Sequence, residues 1–235
     1  MYSRKFQSLV TTSLAAVVLW SCDDKTAAPP AAPEAGATPV TWRLDNLEEI
    51  GGHPVTVLGE PTLIDTPGGR ALEFDGVDDA ISLDVHPLQG MSKFTVEVVF
   101  NPYADGAAEQ RFFHMQEDGS ESRVMFETRL VEGDRWFLDT FIKSGEQSVV
   151  LYAEDDTHEI GQWQHAAIVV DGETMRHYED GQLELSDTLQ SQPQSSGRTS
   201  LGVRINEVHW FKGAIRTARF TPRPLGPDEF LSSRD

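Results

Sequence analysis

The sequence predicts an all-β domain of two packed antiparallel sheets. Three observations predict it. Runs of β-branched and aromatic residues recur with turn residues between them at intervals of about ten, the spacing of a sandwich or barrel. No run has a convincing helical period, and only "GPDEFL" near the end suggests a helical turn. The stretch "WQHAAIVVDGETMRHYEDGQLELS", Trp163 to Ser186, carries Asp-Gly twice between apolar-rich runs. Asp-Gly between strand formers signals a hairpin, because a tight turn needs positive φ and glycine adopts it freely. Gln164 to Val170 therefore reads as a strand. Thr174 to Glu179 returns and Gln182 to Ser186 goes out again, making a three-stranded meander.

The other strands follow from the same reading, in order. They are "TWRL", "VTVLG", "ALEFDG", "AISLDV", "FTVEVVFNP", "QRFFHMQE", "RVMFETRL", "RWFLDTFIKS" and "SVVLYA" before the meander. "TSLGVR" and "VHWFKGAIRTARFTP" come after it. Roughly a dozen or more strands fit two packed sheets. Phe74 is expected in the core, with Asp75-Gly76 turning the chain. Trp42 and Trp163 are expected buried with their single donors paired, and the Tyr178 ring packed inward.

The N-terminus stands apart. Arg4 and Lys5 precede an apolar stretch, Leu9 to Trp20, too short to span a bilayer comfortably and followed by Ser21-Cys22. This layout resembles the signal peptide of bacterial lipoproteins, with Leu19, a small residue at Ser21 and a lipidated Cys22. Trp20 departs from the small or β-branched residue usual there. A plain secretory signal or an uncleaved anchor stays open. The resemblance implies a domain held on the bilayer through Cys22, in the bacterial cell envelope and exposed to periplasm or cell surface. Cys22 is the single cysteine, so no disulfide is expected. Residues 1–21 thus read as a signal and 22–39 as a lipidated cysteine with an Ala/Pro-rich tether. Residues 40–235 read as one folded domain. The formal net charge is −19. Such a surface repels nucleic acid and anionic headgroups, disfavours acidic polysaccharides and favours divalent cations.

Five motifs in order carry a second resemblance. They are "ALEFDGVDDAISL", "FTVEVVFNP", "GQWQHAAIVVDGETMRHYEDGQLE", "SLGVR" and "FKGAIRTARFTPRPLGPDEF". Their order is similar to that of the laminin-G-like jelly rolls within the concanavalin A-like lectin and glucanase group. The likeness covers nearly all of Val40 to Phe230. Arg216-Thr217 stands where that family usually has an acidic pair. The resemblance implies a jelly-roll sandwich with one concave sheet, whose groove is the usual glycan site.

Charges on alternate positions mark the strands where a site is expected. In "SRVMFETRL", Arg123, Met125, Glu127 and Arg129 share one face; in "RWFLDTFIKS", Phe137, Asp139, Phe141 and Lys143 do. In "RFFHMQE", Phe112, His114 and Gln116 alternate with Phe113 and Met115, and Arg204, Asn206 and Trp210 lie near the end. Carboxylates and guanidinium groups beside aromatic rings suit sugar recognition. The candidate carbohydrate groove is His114, Gln116, Glu127, Arg129, Asp139, Phe141, Lys143, Arg204, Asn206 and Trp210. The alternative is cross-strand ion pairing on a solvated face, which needs no ligand.

Asp75, Asp78 and Asp79 supply hard oxygen ligands in one turn, so structural Ca²⁺ is expected there, with Asp84 and the first loop, Asp45 to His53, nearby. An acidic turn capping its own backbone is the alternative. Catalysis finds little support. "EFDGVD" puts a glycine inside the nearest match to a laminarinase-type Glu-x-Asp-x-x-Glu and ends it in Asp. Alginate-lyase-type motifs lack their Gln-x-His, and Phe141 replaces the tyrosine. His165 reads as a buried, hydrogen-bonded residue, and the remaining histidines show no ligand spacing. The expectation is an envelope-anchored carbohydrate-binding module without catalytic activity. A non-catalytic protein-interaction domain and a polysaccharide lyase or glycosidase are the alternatives.

Overall fold

A computed structural model describes residues 38–234, which form two antiparallel sheets and one short 3-10 turn. The signal, Cys22 and most of the tether lie outside the described residues. The first sheet runs β15 (Gln182–Thr188), β14 (Thr174–Glu179), β13 (Gln164–Val170), β8 (Phe94–Pro102), β17 (Lys212–Thr221), β6 (Gly69–Asp75) and β5 (Thr62–Thr66). β1 (Val40–Arg43) adds to β17. The second runs β12 (Gln147–Glu159), β11 (Arg135–Ser144), β10 (Arg123–Val131), β9 (Glu109–Glu117), β16 (Gly197–Leu201), β7 (Ala80–Leu83) and β4 (Thr56–Leu58). A small hairpin joins β2 (Glu49–Ile50) to β3 (His53–Pro54). The meander of Trp163 to Ser186 is β13–β15, and Pro227–Glu229 make the 3-10 turn within "GPDEFL".

The core lies between the sheets. Val96, Val98 and Phe100 of β8 face it from one side, and Val124 and Phe126 of β10 from the other. Strict alternation on β8 and β13 carries the intervening residues to the opposite face. Phe100 stacks on Phe112 with ring centroids 4.1 Å apart, and Trp136 meets Phe100 edge-on at 5.3 Å. Phe74 is buried there as expected.

Three aromatic expectations need correction. Trp42 is fully buried, but its indole nitrogen has no hydrogen-bond partner among the described residues. Trp163 is only half-buried, with the Arg216 guanidinium 4.5 Å from its ring. Tyr178 packs on the outer face of the first sheet with Ala167 and Val169, under Phe230. The closing segment covers that face, so an outward tyrosine is sheltered without entering the core. Beside it, His165 is buried against Glu97, as its sequence context suggested.

Candidate functional site

The outer face of the second sheet gathers most of the predicted groove. β10 and β11 pair with Glu127 opposite Asp139, Met125 opposite Phe141, and Arg123 opposite Lys143. β9 lies on the other side of β10, with His114 opposite Met125 and Gln116 opposite Arg123. The β9–β10 register then slips: Phe126 faces Phe113 but Glu127 faces Arg111, leaving Phe112 over. This bulge sends Phe112 into the core and turns Arg111 onto the charged face. Phe112 therefore does not share a face with His114 and Gln116.

The charges form one network. Arg129 donates from Nε to Asp139 Oδ2 at 2.8 Å and from Nη2 to Glu127 Oε2 at 3.0 Å. Arg111 Nη2 is also 3.0 Å from Glu127 Oε2, and both guanidinium groups reach Glu109. The Glu127 and Asp139 side chains are each only 3% exposed. Burial, then the neighbouring Asp139, pushes the Glu127 carboxyl up to about 7 against the pull of Arg111 and Arg129. Burial also raises Asp139. His114 is fully buried, and burial followed by the charges of Arg204, Arg123 and Arg111 lowers it to about 3.

Several buried polar atoms on this face lack hydrogen-bond partners among the described residues: Asp139 Oδ1, His114 Nε2, Arg111 Nε and Arg123 Nε. Rings flank them. The Arg123 guanidinium lies 4.5 Å from the Phe141 ring, and that of Arg129 5.7 Å from Tyr152, which is 46% exposed. Lys143 is engaged with Glu121 at 2.6 Å.

The loop between β16 and β17 borders the β9 side. Its Ile205 N–H donates to His114 Nδ1 at 3.1 Å, and Arg204 lies close enough to depress the His114 proton affinity. Asn206 is exposed and Trp210 half-buried in the same loop. Thus seven predicted residues share the sheet face, and Arg204, Asn206 and Trp210 occupy its bordering loop. Arg111, Glu109 and Tyr152 were missed. The charged "EQR" leading into "FFHMQE" was the available signal for the first two.

The acidic turn occupies a different place. Asp75, Asp78 and Asp79 each offer an oxygen, all within 4.8 Å of one another. Asp84 and the acids of the Asp45 to His53 loop are not in this group. Asp75 Oδ1 accepts from the N–H groups of Val77, Asp78 and Asp79. Asp79 accepts from Glu60 and Asp75. The turn therefore caps its own backbone, and its three aspartates line a cleft of about 860 Å³ together with Glu73, Tyr103 and Lys212. Three hard oxygens at that spacing fit a calcium ion. The Tyr103 hydroxyl donates to Glu73 Oε1 at 3.0 Å, and burial, then Glu73, pushes it up to about 12.

The architecture recurs in solved structures. Domain 4 of AbnA, a GH43 extracellular arabinanase from Geobacillus stearothermophilus, solved in complex with arabinotriose, superposes with a TM-score of 0.63 at 19% identity. That match covers 81% of this chain and 94% of that one. The binding domain of botulinum neurotoxin serotype G matches at 13% identity and TM-score 0.56 over 81% of this chain, which spans 49% of the toxin domain. A SAP-like pentraxin from Limulus polyphemus matches at 16% identity and TM-score 0.51, covering 66% of this chain and 76% of that one. No curated protein sequence matches. A laminin-G family model described as the concanavalin A-like lectin/glucanases superfamily matches residues 75–230, from the acidic turn to the closing segment. With that match over most of the chain, and with two antiparallel sheets built from its motifs, the protein belongs to the concanavalin A-like lectin/glucanases superfamily.

Proposed function

We propose that the chain is a non-catalytic carbohydrate-binding module held on the cell envelope through Cys22, its sugar seated on the outer face of the second sheet. One observation carries this reading: the charged network of Arg111, Glu127, Arg129 and Asp139 lies on the same face as the rings of Phe141 and Tyr152, the latter 46% exposed. Sugar hydroxyls bond to carboxylate and guanidinium groups, and sugar rings stack on exposed aromatic rings. The Arg129 bridges stiffen the face rather than serve as free donors. The net charge of −19 favours a neutral glycan. The arabinotriose complex of a structural neighbour supports the same class of ligand by analogy of fold.

Glycan-array screening followed by titration tests the reading. Saturable binding of a neutral oligosaccharide is expected, weakened at least tenfold by Tyr152→Ala, whose ring is 46% exposed, with circular dichroism confirming that the variant folds. Failure to bind any neutral glycan overturns it and leaves a protein-interaction role. A glycan-active enzyme is favoured by one feature, the Glu127 carboxyl at about 7 directly across from Asp139. Release of reducing ends from a polysaccharide, lost in Glu127→Gln, would establish that instead. The anchor is tested by lipid labelling, expected in the wild type and absent from Cys22→Ser. Structural Ca²⁺ at Asp75, Asp78 and Asp79 is tested by heating with and without chelator; an unchanged melting temperature removes it.

A further inference from the structure

Where β12 meets β15, the edge of the sandwich holds a second cluster, apart from the glycan face. Along β15, strict alternation would point Leu183 and Leu185 inward and Glu184 out. Instead His177 pairs with Leu185 and Tyr178 with Leu183, so Glu184 is the extra residue of a bulge. Leu183 is 54% exposed, whereas the Glu184 side chain is 5% exposed. The bulge re-aims a carboxyl into the space between the layers.

The facing strand is irregular too. On β12, Tyr152 pairs with Asp139 and Thr157 with Phe137, so residues 153–156 bulge out opposite Leu138 alone. One end of this excursion carries Tyr152, whose ring lies beside Arg129 on the outer face. The other end leads through Thr157 to His158. Arg135 is committed there: its Nε donates to Thr157 Oγ1 at 2.7 Å and its Nη2 to the Thr157 carbonyl.

His158 reaches across to the first sheet. Its Nε2 lies 2.7 Å from Glu184 Oε1 and its Nδ1 4.0 Å from Glu179 Oε2, so one ring turns a different nitrogen to each of two carboxyls. A second crossing backs it. The Thr140 hydroxyl is 2.9 Å from His177 Nδ1. With that hydroxyl donating, the His177 Nε2–H points at Glu184 Oε2, 3.4 Å away. A cleft of about 490 Å³, rimmed by Arg135, Asp155, Asp156 and Asp180, opens onto His158, Glu179 and Glu184, and Glu159 stands opposite Arg135.

So many acids in a sheltered place do not all ionise together. Burial, then Asp180 and Glu184, pushes Glu179 up to about 9. Burial also raises Glu184, against the pull of His158. His177 is lowered to about 3 by burial, then by His158, and stays neutral. A proton kept on Glu179 leaves Glu184 as the one negative partner of the His158 ring.

We propose that His158, Glu179 and Glu184 form a proton-held latch that ties β12 to the β14–β15 edge and thereby fixes residues 153–156 and Tyr152. When Glu179 loses its proton, two buried carboxylates face one ring, with Asp156 and Asp180 adding repulsion, and the tie across the layers is released. The sign follows from the raised value: the contribution of Glu179 is complete below its ordinary 4.5 and lost as pH rises through about 9. Any effect on sugar binding rests on the function proposed above, in which Tyr152 is the exposed ring; the latch itself does not.

A nitroxide on Glu154→Cys, an exposed position of the excursion, tests this in the full chain carrying Cys22→Ser. Its electron paramagnetic resonance is expected to show slow motion at pH 7 and a growing mobile fraction up to pH 10. Glu179→Gln, neutral at every pH, should keep the label slow throughout. His158→Gln, which cuts the tie, should free it already at pH 7. Circular dichroism checks that each variant is folded at each pH; if one does not fold, the other decides. A label equally mobile at pH 7 and pH 10 overturns the proposal. So does a gain in mobility that Glu179→Gln retains in full, or a label that His158→Gln leaves slow. A neutral oligosaccharide should lose affinity over the same range about fivefold more in the unlabelled chain than in Glu179→Gln, and equal losses overturn the link to Tyr152. Failure to bind any neutral glycan overturns the carbohydrate reading and leaves the label to judge the latch.

Discussion

Glu127 stands directly opposite Asp139 across the β10–β11 ladder, and one guanidinium, that of Arg129, bonds to both. Two carboxyls of like charge are thereby buried side by side, and both hold their protons more tightly than in water. A group with a raised folded-state pKa contributes stability that is complete below its unfolded value and lost as pH rises through the folded one. For Glu127 that window runs from its ordinary 4.5 to about 7. The melting temperature is therefore expected to fall between pH 5 and pH 8, and Glu127→Gln to flatten the slope. General repulsion from the acidic surface persists in the variant, so the difference between the two slopes isolates the pair. Identical slopes would refute this account.

Arg129 should be costly to remove. Its loss leaves Glu127 and Asp139 buried with less compensation, and breaking such a pair costs about 3–5 kcal/mol. Urea unfolding of Arg129→Ala should show a loss of that order. Adding Asp139→Asn should recover part of it, because the two residues share one interaction and their effects are not additive.

Glu97 holds the closing segment on the first sheet. Its carboxylate accepts from His165 Nε2 at 3.0 Å, Arg219 Nε at 2.5 Å and the Leu231 N–H at 2.7 Å. Burial alone would raise it, yet the hydrogen bonds from His165, Arg219 and Leu231 hold it below the usual carboxylate range. Its contribution is therefore present at neutral pH and lost as pH falls through the depressed value. Glu97→Gln is expected to destabilise by about 2–3 kcal/mol. Limited proteolysis should then cut in the segment that carries Phe230, earlier than in the wild type.

Gly51 is irreplaceable for two separate reasons. Its φ is +60°, and a Cβ there would overlap the indole of Trp42. Gly51→Ala should cost about 2 kcal/mol or more by strain and by displacement of a core ring, read as a lowered urea midpoint. Gly52, one residue on at φ +84°, has open space around it, so Gly52→Ala carries only the backbone penalty and should cost less.

Much of the fold was legible because its signals are local. Asp180 at φ 41° and Gly181 at φ 79° make the tight turn that Asp-Gly announces, and alternation places Val124 and Phe126 inward with Glu127 and Arg129 outward. The charged face was legible for the same reason on β10 and β11. On β9 the count of two failed, because an extra residue at Phe112 exchanged a predicted phenylalanine for Arg111.

The sequence by itself determined most of the strands and their turns, and on β8 and β10 the side turned to the core, since these depend on neighbours one to four residues apart. The short β2–β3 hairpin, the edge strand β5 and the outward side of Tyr178 escaped it. Only the tertiary structure decided which charges meet. Arg129 reaches Asp139 because β10 and β11 pair in one register, and His158 reaches Glu184 because two different sheets converge where a bulge reverses a side chain. A bulge shifts the period by one residue at little local cost, and contacts between layers join residues far apart along the chain. Neither leaves a mark in composition or spacing.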